Sequence, residues 1–461
     1  MFKQNKPRSR SVGMDMTQGK MLPQIIAFAG PLMLTGILQL LYNAADVVVV
    51  GRFAGAQALA AVGSTGALIN LIINLFMGVA TGAGVAVARA YGANDYRLIQ
   101  KSVHTAVTIA IIFGFVVMGL GQVLTRPMLE LMDSPADVID LAELYMRIYF
   151  AGMPASMLYN FGAAILRAVG DTRRPLYYLS LSGLVNVLLN LLLVIVFHMS
   201  VDGVAIATVA SQVISAALVI ICLLRTDGAI HLDPRRLSID KPVALDMLRI
   251  GLPAGVQGMF FSISNVMIQS SVNSFGSVAM AGNAAGANLE GFAYTAMNAF
   301  HQADVTIASQ NMGARKYTRV RRTIWLCLGC VTVVGLVVAG VLLGFGETLL
   351  SLYNTDPEVI AYGMKRMLWF LPLYFLCGTL EVVSGQLRGM GYSLMPMIVT
   401  LTGVCAFRVL WLQTAFVAWP MLEVVYVSYP ISWLITTVAH LMCYLLVAAR
   451  KIPKHDEPSP A

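Results

Sequence analysis

The chain has 461 residues, 58% of them hydrophobic and 12% charged, with a formal net charge of +8. Soluble domains carry about twice that charge fraction, so a string of soluble domains is excluded and a membrane protein is expected. The positive balance does not describe a nucleic-acid surface either, because 25 of the 31 Lys and Arg residues fall in the two tails and one alternating set of loops, the signature of membrane topology.

A polar tail, residues 1–20, comes first. No short apolar core with a cleavage site follows it, so no cleavable signal peptide is expected. Apolar runs long enough to cross a bilayer then recur, and predict helices at 22–50, 57–88, 101–124, 138–166, 176–197, 203–224, 247–273, 278–309, 323–346, 357–386, 393–416 and 421–448. The expected fold is an all-α integral membrane protein with twelve transmembrane helices. Its parts are a tail (1–20), an N-terminal six-helix lobe (21–225), a cytoplasmic linker (226–246), a C-terminal six-helix lobe (247–449) and a second tail (450–461). The loops opposite the basic set carry Asp133, Asp137, Asp140, Glu347, Asp356 and Glu358. Both termini are therefore expected on the cytoplasmic side of the inner (plasma) membrane. All six cysteines lie in apolar runs. Cys327 and Cys330 have no second pair or His cluster beside them and read as small apolar packing residues.

The second half repeats the first. "GPLMLTGILQLLYNAADVVVVGRFAG" meets "LPAGVQGMFFSISNVMIQSSVNSFGS" at an offset of 222, with Pro31 on Pro253 and Asn43 on Asn265. After one gap the offset is 221: Gly92 falls on Gly313, and Arg167, Gly170 and Pro175 fall on Arg388, Gly391 and Pro396. Each half holds an even number of spans, so both share one orientation and the repeat is parallel. Two such bundles flanking a midplane cavity are a transporter plan. There is no G-x-x-x-x-G-K-[ST] loop, which leaves ion gradients as the energy source.

"LYNAADVVVVGRFAG", "ARAYGAND", "LRAVGDTRRP", "NVLLN", "GVAIATVASQ", "SQNMGARK" and "LRGMGYSLMP" resemble the multidrug and toxic compound extrusion (MATE) transporters of the MOP superfamily, over roughly residues 20–450. The resemblance implies two pseudo-symmetric six-helix lobes forming a V around a central cavity. It also implies export of cationic organic compounds by H⁺ or Na⁺ antiport through alternating access. No catalytic residues and no cofactor beyond the coupling ion are expected. The expected partners are small organic cations and membrane lipids, with no nucleic acid, and the chain is expected to act as a monomer.

Acids inside apolar spans are costly and mark function by default. Asp46 is the first. In the family a cation site sits in the N-terminal lobe, and the resemblance carries it onto Asp46, Asn186, Asn190 and Thr208, either as oxygen ligands for Na⁺ or as the setting of a protonatable acid. Relatives often have a second Asp where this chain has Asn190, which leaves one titratable group and favours a proton. Asn43, one turn before Asp46, reads as interhelical hydrogen bonding. In the C-terminal lobe Glu290 and Glu381 are candidates for offering negative charge to a substrate. Arg408 is the expected neutraliser of either, and such an ion pair is the competing structural reading. Asp304 is expected to pair locally with His301. Tyr42, Tyr159, Tyr294 and Met297 are placed to line a pocket for flat cations, with ordinary packing as the alternative. Prolines 31, 154, 253 and 372 are expected inside spans, with Pro31 as a hinge that answers Asp46 protonation. "GVATGAG" and "GNAAG" read as small-residue packing faces. The rival reading is a lipid-linked oligosaccharide flippase of the same superfamily. An intramembrane enzyme lacks a supporting motif, and two asymmetric lobes offer no ring of repeats for a channel pore.

Overall fold

The structure, a computed structural model, describes residues 13–132, 138–453 and 455–457. Asp133 and Asp137 of the acidic loop and most of the basic N-terminal tail lie outside the described residues.

The elements are α1 (Met21–Val49, extended by a π-helical turn Val50–Ala54), α2 (Ala56–Gly92), α3 (Tyr96–Leu131), α4 (Ile139–Ala151), α5 (Met153–Ala168), α6 (Arg173–Asn190, continued by Leu191–Val196), α7 (Val201–Arg225), α8 (Lys241–Asn273), α9 (Ser277–Gly313), α10 (Tyr317–Gly344), α11 (Gly346–Ser351), α12 (Pro357–Phe370), α13 (Phe375–Gly389), α14 (Leu394–Thr400), α15 (Phe407–Trp411) and α16 (Leu422–Lys451). Among the described residues all regular structure is helical. Eight helices are long and apolar enough to cross a membrane unaided, and α12–α13, bent by 46°, adds a ninth. The remaining crossings are α4–α5, α8 and α9. α8 and α9 carry polar groups within their apolar runs, of which Gln257, Asn283, Glu290 and Asp304 are buried in the protein. With these three, the described chain makes the twelve expected crossings.

Helix ends depart from the apolar runs because caps, not hydropathy, set them. Asp95 Oδ1 accepts from Leu98 N at 2.9 Å and starts α3 ahead of its apolar run. Asp240 caps α8 through Val243 N at 3.4 Å, so helix occupies Lys241 onward and the linker expected at 226–246 is shorter. The fourth span breaks at Gly152, and Pro154 lies in the first turn of α5, where no intrahelical N–H is needed. Pro372 sits in the short 3₁₀ turn between α12 and α13. Only Pro31 and Pro253 of the four expected positions lie inside continuous helices.

The repeat is written into the turns. Gly55 and Gly276 both have φ +93°, Gly170 and Gly391 have +88° and +95°, and Asn94 and Arg315 have +53° and +55°. Each pair is 221 residues apart: Gly55 and Gly276 sit just before α2 and α9, and the other two pairs follow the ends of α2, α5, α9 and α13.

The two halves meet along α2 and α8. A Cβ on Gly78 would lie 2.1 Å from Gly255 N, and one on Gly82 would lie 2.2 Å from Met247 O. The small residues of "GVATGAG" thus let two backbones touch. At one end α2 also meets α9, where a Cβ on Gly92 would lie 1.8 Å from Gln310 O. Past the hydrogen bond from Asn74 Nδ2 to Ser262 Oγ (3.0 Å) the lobes part: nothing lies within 4 Å of a Cβ placed on Gly63 or Gly66. The cleft is closed at the end that holds the start of α1 and the end of α16 and open at the other. The first turns of α1 cross the lobe boundary: Ile25 and Phe28 pack with Met297, Phe300 and Val331 of the C-terminal helices.

Candidate functional site

In the N-terminal lobe a cavity of about 410 Å³ is lined by Asp46, Asn186 and Thr208, together with Asn43, Tyr42 and Tyr159. Among the described residues that line it there is no Lys, Arg or His, and Asp46 is the one carboxylate. Three helices build the polar cluster. Asp46 comes from α1, Asn186 and Asn190 from the last turns of α6, and Thr208 from α7. Asn190 is fully buried. Its Nδ2 donates to Asp46 Oδ1 and lies 3.3 Å from Asn186 Oδ1. The Oδ1 of Asn190 is buried without a partner. Thr208 Oγ1 donates to Val204 O of its own helix at 2.9 Å, so its lone pairs remain for the cavity.

The tyrosines are positioned by backbone acceptors. Tyr42 OH donates to Ser180 O at 3.2 Å and Tyr159 OH to Pro175 O at 3.5 Å. The Tyr42 ring lies so close to α6 that a Cβ on Gly183 would be 1.9 Å from it, which is why "LSGLVN" needs a glycine there. Tyr145, Tyr149 and Gln212 also line the cavity and are additions to the sequence reading. Their signal, single polar groups in otherwise apolar runs, is shared with many packing residues. Pro31 lies fifteen residues before Asp46 on the same unbroken helix, and its carbonyl accepts from Thr35 Oγ1 at 2.7 Å.

The C-terminal lobe corrects several expectations. Glu290 is buried, and both its oxygens accept from Arg366, Oε1 from Nε at 2.9 Å and Oε2 from Nη2 at 2.7 Å. Arg366 Nη1 donates to Asn283 Oδ1 at 2.6 Å, which also accepts from Tyr426 OH at 3.1 Å. Glu290 is therefore part of an internal network and is not offered to a cavity. Arg366, deep in an apolar run like the acids, was the residue to pair with it. Arg408 meets no carboxylate among the described residues. Its Nε donates to Ser432 Oγ at 3.0 Å and its guanidinium stacks 4.0 Å from the Tyr429 ring centre, so aromatic faces take the place of the expected counter-ion. His301 does not pair with Asp304: its Nδ1 donates to Glu381 O at 2.7 Å, while the fully buried Asp304 carboxyl meets the Cys327 thiol. Met297 is packed in the core formed with α1. Tyr294 is 37% exposed, and the Glu381 carboxylate forms no ion pair among the described residues.

The sequence pattern of the MatE family matches residues 31–192 and 253–411, which covers both lobes. The chain belongs to the MATE family. The "Probable multidrug resistance protein YoeA" of Bacillus subtilis (strain 168) is 28% identical over 451 residues, covering 95% of this chain and 97% of that protein. A crystal structure of MATE in complex with MaL6 aligns with a TM-score of 0.89 at 20% identity, covering 96% of this chain and 99% of the other. An outward-facing multidrug resistance MATE family transporter of the MOP superfamily aligns at 0.88 and 21% identity, with the same coverage. The MATE fold is thus shown, and the family and its named relatives are transporters of the multidrug-export type.

Proposed function

We propose that this MATE transporter exports cationic organic compounds in exchange for H⁺ or Na⁺, with Asp46 binding the coupling ion. The observation that carries the reading is the N-terminal cavity, whose one carboxylate is Asp46 and whose lining holds no basic residue. A cavity of that polarity attracts cations, and its tyrosine faces suit flat ones.

Asn190 serves both charge states. Its amide donates to the Asp46 carboxylate. Turned over, the same amide presents its oxygen, now without a donor, to the proton of the neutral acid. With one acid in the cluster, H⁺ is the better-supported ion. Na⁺ is served by the oxygens of Asp46, Asn186, Asn190 and Thr208. Substrate contacts are assigned to Tyr42 and Tyr159, with Glu381 and Tyr294 on the opposite lobe. Pro31 is the hinge through which occupancy of Asp46 reaches the cleft. The closed end, which carries the basic loops, is assigned to the cytoplasm, so the cleft opens outward. The protein works as a monomer in the plasma membrane.

The deciding experiment is efflux of a fluorescent organic cation from proteoliposomes with pH and Na⁺ gradients imposed separately. Efflux driven by either gradient and lost in Asp46→Asn supports the proposal. Equal efflux without any gradient overturns it.

A further inference from the structure

At the closed end of the cleft, beside the Gly92–Gln310 contact, the two lobes enclose a second, much smaller cavity of about 40 Å³. Arg167, in the last turn of α5, lines it from one side and His301 of α9 from the other. Other arginines held in the protein interior have partners: Arg366 has Glu290, Arg388 Nη2 donates to Gln257 Oε1 at 2.7 Å, and Arg408 has Ser432. Arg167 has none among the described residues, neither hydrogen bond nor ion pair, and no carboxylate lines the cavity. Thr306 and Ser309 on the same wall donate into their own helix, to Gln302 O at 3.0 Å and Val305 O at 2.6 Å. They leave the Arg167 guanidinium and the Gln302 amide, whose Nε2 lies 3.5 Å from Asn298 Oδ1, as the donors on the space.

A cation held between helices with no counter-charge is costly, and the cost is lifted by an anion. A cavity of this size admits a halide, or a carboxylate group whose carrier molecule stays outside it in the cleft. We infer that Arg167 forms an anion site between the lobes, taking a monovalent anion that is either free halide or the carboxylate of a transported acid. In the closed cleft this anion bridges Arg167 of the N-terminal lobe to the His301 side of the C-terminal lobe. It is released when that end opens. The binding claim is independent of the proposed export, whereas assigning the carboxylate to a substrate rests on it and requires an exported cation that also carries an acid group.

The test has a binding arm and a transport arm. The full chain is purified in gluconate, and its melting temperature is followed as chloride is added at constant ionic strength. A saturable rise is expected, with chloride affinity about tenfold weaker in Arg167→Gln and unchanged in Arg126→Gln, an exposed control. Wild-type crystals soaked in bromide, which need no variant to fold, are expected to show anomalous scattering beside the Arg167 guanidinium. Absence of that scattering, or an identical chloride response in Arg167→Gln, overturns the site. In proteoliposomes a carboxylate dye is compared with its methyl ester. If the anion is the substrate's, chloride inhibits export of the acid alone. If it is free halide, chloride affects both dyes alike. Loss of all export with the bromide site intact refutes the export reading and leaves the anion site standing.

Discussion

The side-chain amide of Asn190, at the end of α6, donates to the carboxylate of Asp46 on α1. This bond ties two helices of the N-terminal lobe through the one carboxylate of its cavity. Replacing Asp46 by Asn keeps the size and a hydrogen bond but removes the titration. Gradient-driven efflux by Asp46→Asn is expected to fall to the level of protein-free liposomes while the melting temperature stays near wild type. Wild-type efflux by that variant would sink the coupling role.

Asn190→Asp places a second acid against the first. Two close carboxylates do not ionise together without a cation between them. The variant is expected to gain Na⁺ stimulation of efflux at neutral pH, read as a saturable response to Na⁺ that the parent shows weakly or not at all. An unchanged Na⁺ response in the variant argues that the cluster does not form the ion site.

Asp46 stood out in the sequence as an acid in an apolar run, Asn186 and Asn190 were pointed to by the family resemblance, and the structure brings the three side chains together. The repeat was legible as well, since its glycines at 170 and 391 hold the same left-handed turn. The pairings in the C-terminal lobe were not. A buried acid announces that it needs a partner, but Glu290 finds Arg366 on α12, 76 residues away, and spacing carries no record of which helices become neighbours. Arg408 misled for a related reason: its charge is answered by the faces of Tyr429 and Trp433, which read as ordinary packing residues. Burial of Met16 in the N-terminal tail was equally hidden, because the groups that hold its backbone are side chains of distant helices, Gln310 and Asn311 of α9 and Arg319 of α10.

Removing one partner of a buried ion pair leaves the other charge uncompensated, at a cost of about 3–5 kcal/mol. Glu290→Gln is expected to show that loss in chemical denaturation. Transport per folded molecule is expected to be retained, because both Glu290 oxygens are committed to Arg366. A stable variant with impaired transport would instead return Glu290 to the substrate pathway.

The contact between α2 and α8 leaves no room for a side chain at Gly82, where a Cβ would lie 2.2 Å from Met247 O. Gly82→Leu is therefore expected to disfavour the closed end and populate states in which it is open. Ser309, fully buried there, is the reporter: Ser309→Cys in a cysteine-free background should be labelled slowly alone and about tenfold faster when combined with Gly82→Leu. Equal labelling rates would mean that the lobes accommodate the side chain without parting.

The N-terminal tail bridges both lobes at that same end. A Cβ on Gly170 would lie 2.5 Å from Met14 O, which places the tail against the N-terminal lobe. Met16 N donates to Gln310 Oε1 at 3.1 Å on the other lobe, and Gln310 Nε2 donates to Ala168 O at 2.7 Å, so Gln310 joins the lobes directly. Arg319 fastens the strap, with Nη1 donating to Gly19 O and Nη2 to Met16 O, each at 2.9 Å. Arg319→Ala removes both bonds without touching either cavity. Hydrogen exchange at the Met16 amide is expected to accelerate about tenfold, with exchange in the α3 core unchanged. Because the strap spans a contact that must break for the cleft to open toward the tail, the variant is also expected to label Ser309→Cys faster. Faster amide exchange without faster labelling would show that the strap covers the closed end but does not help to hold it shut.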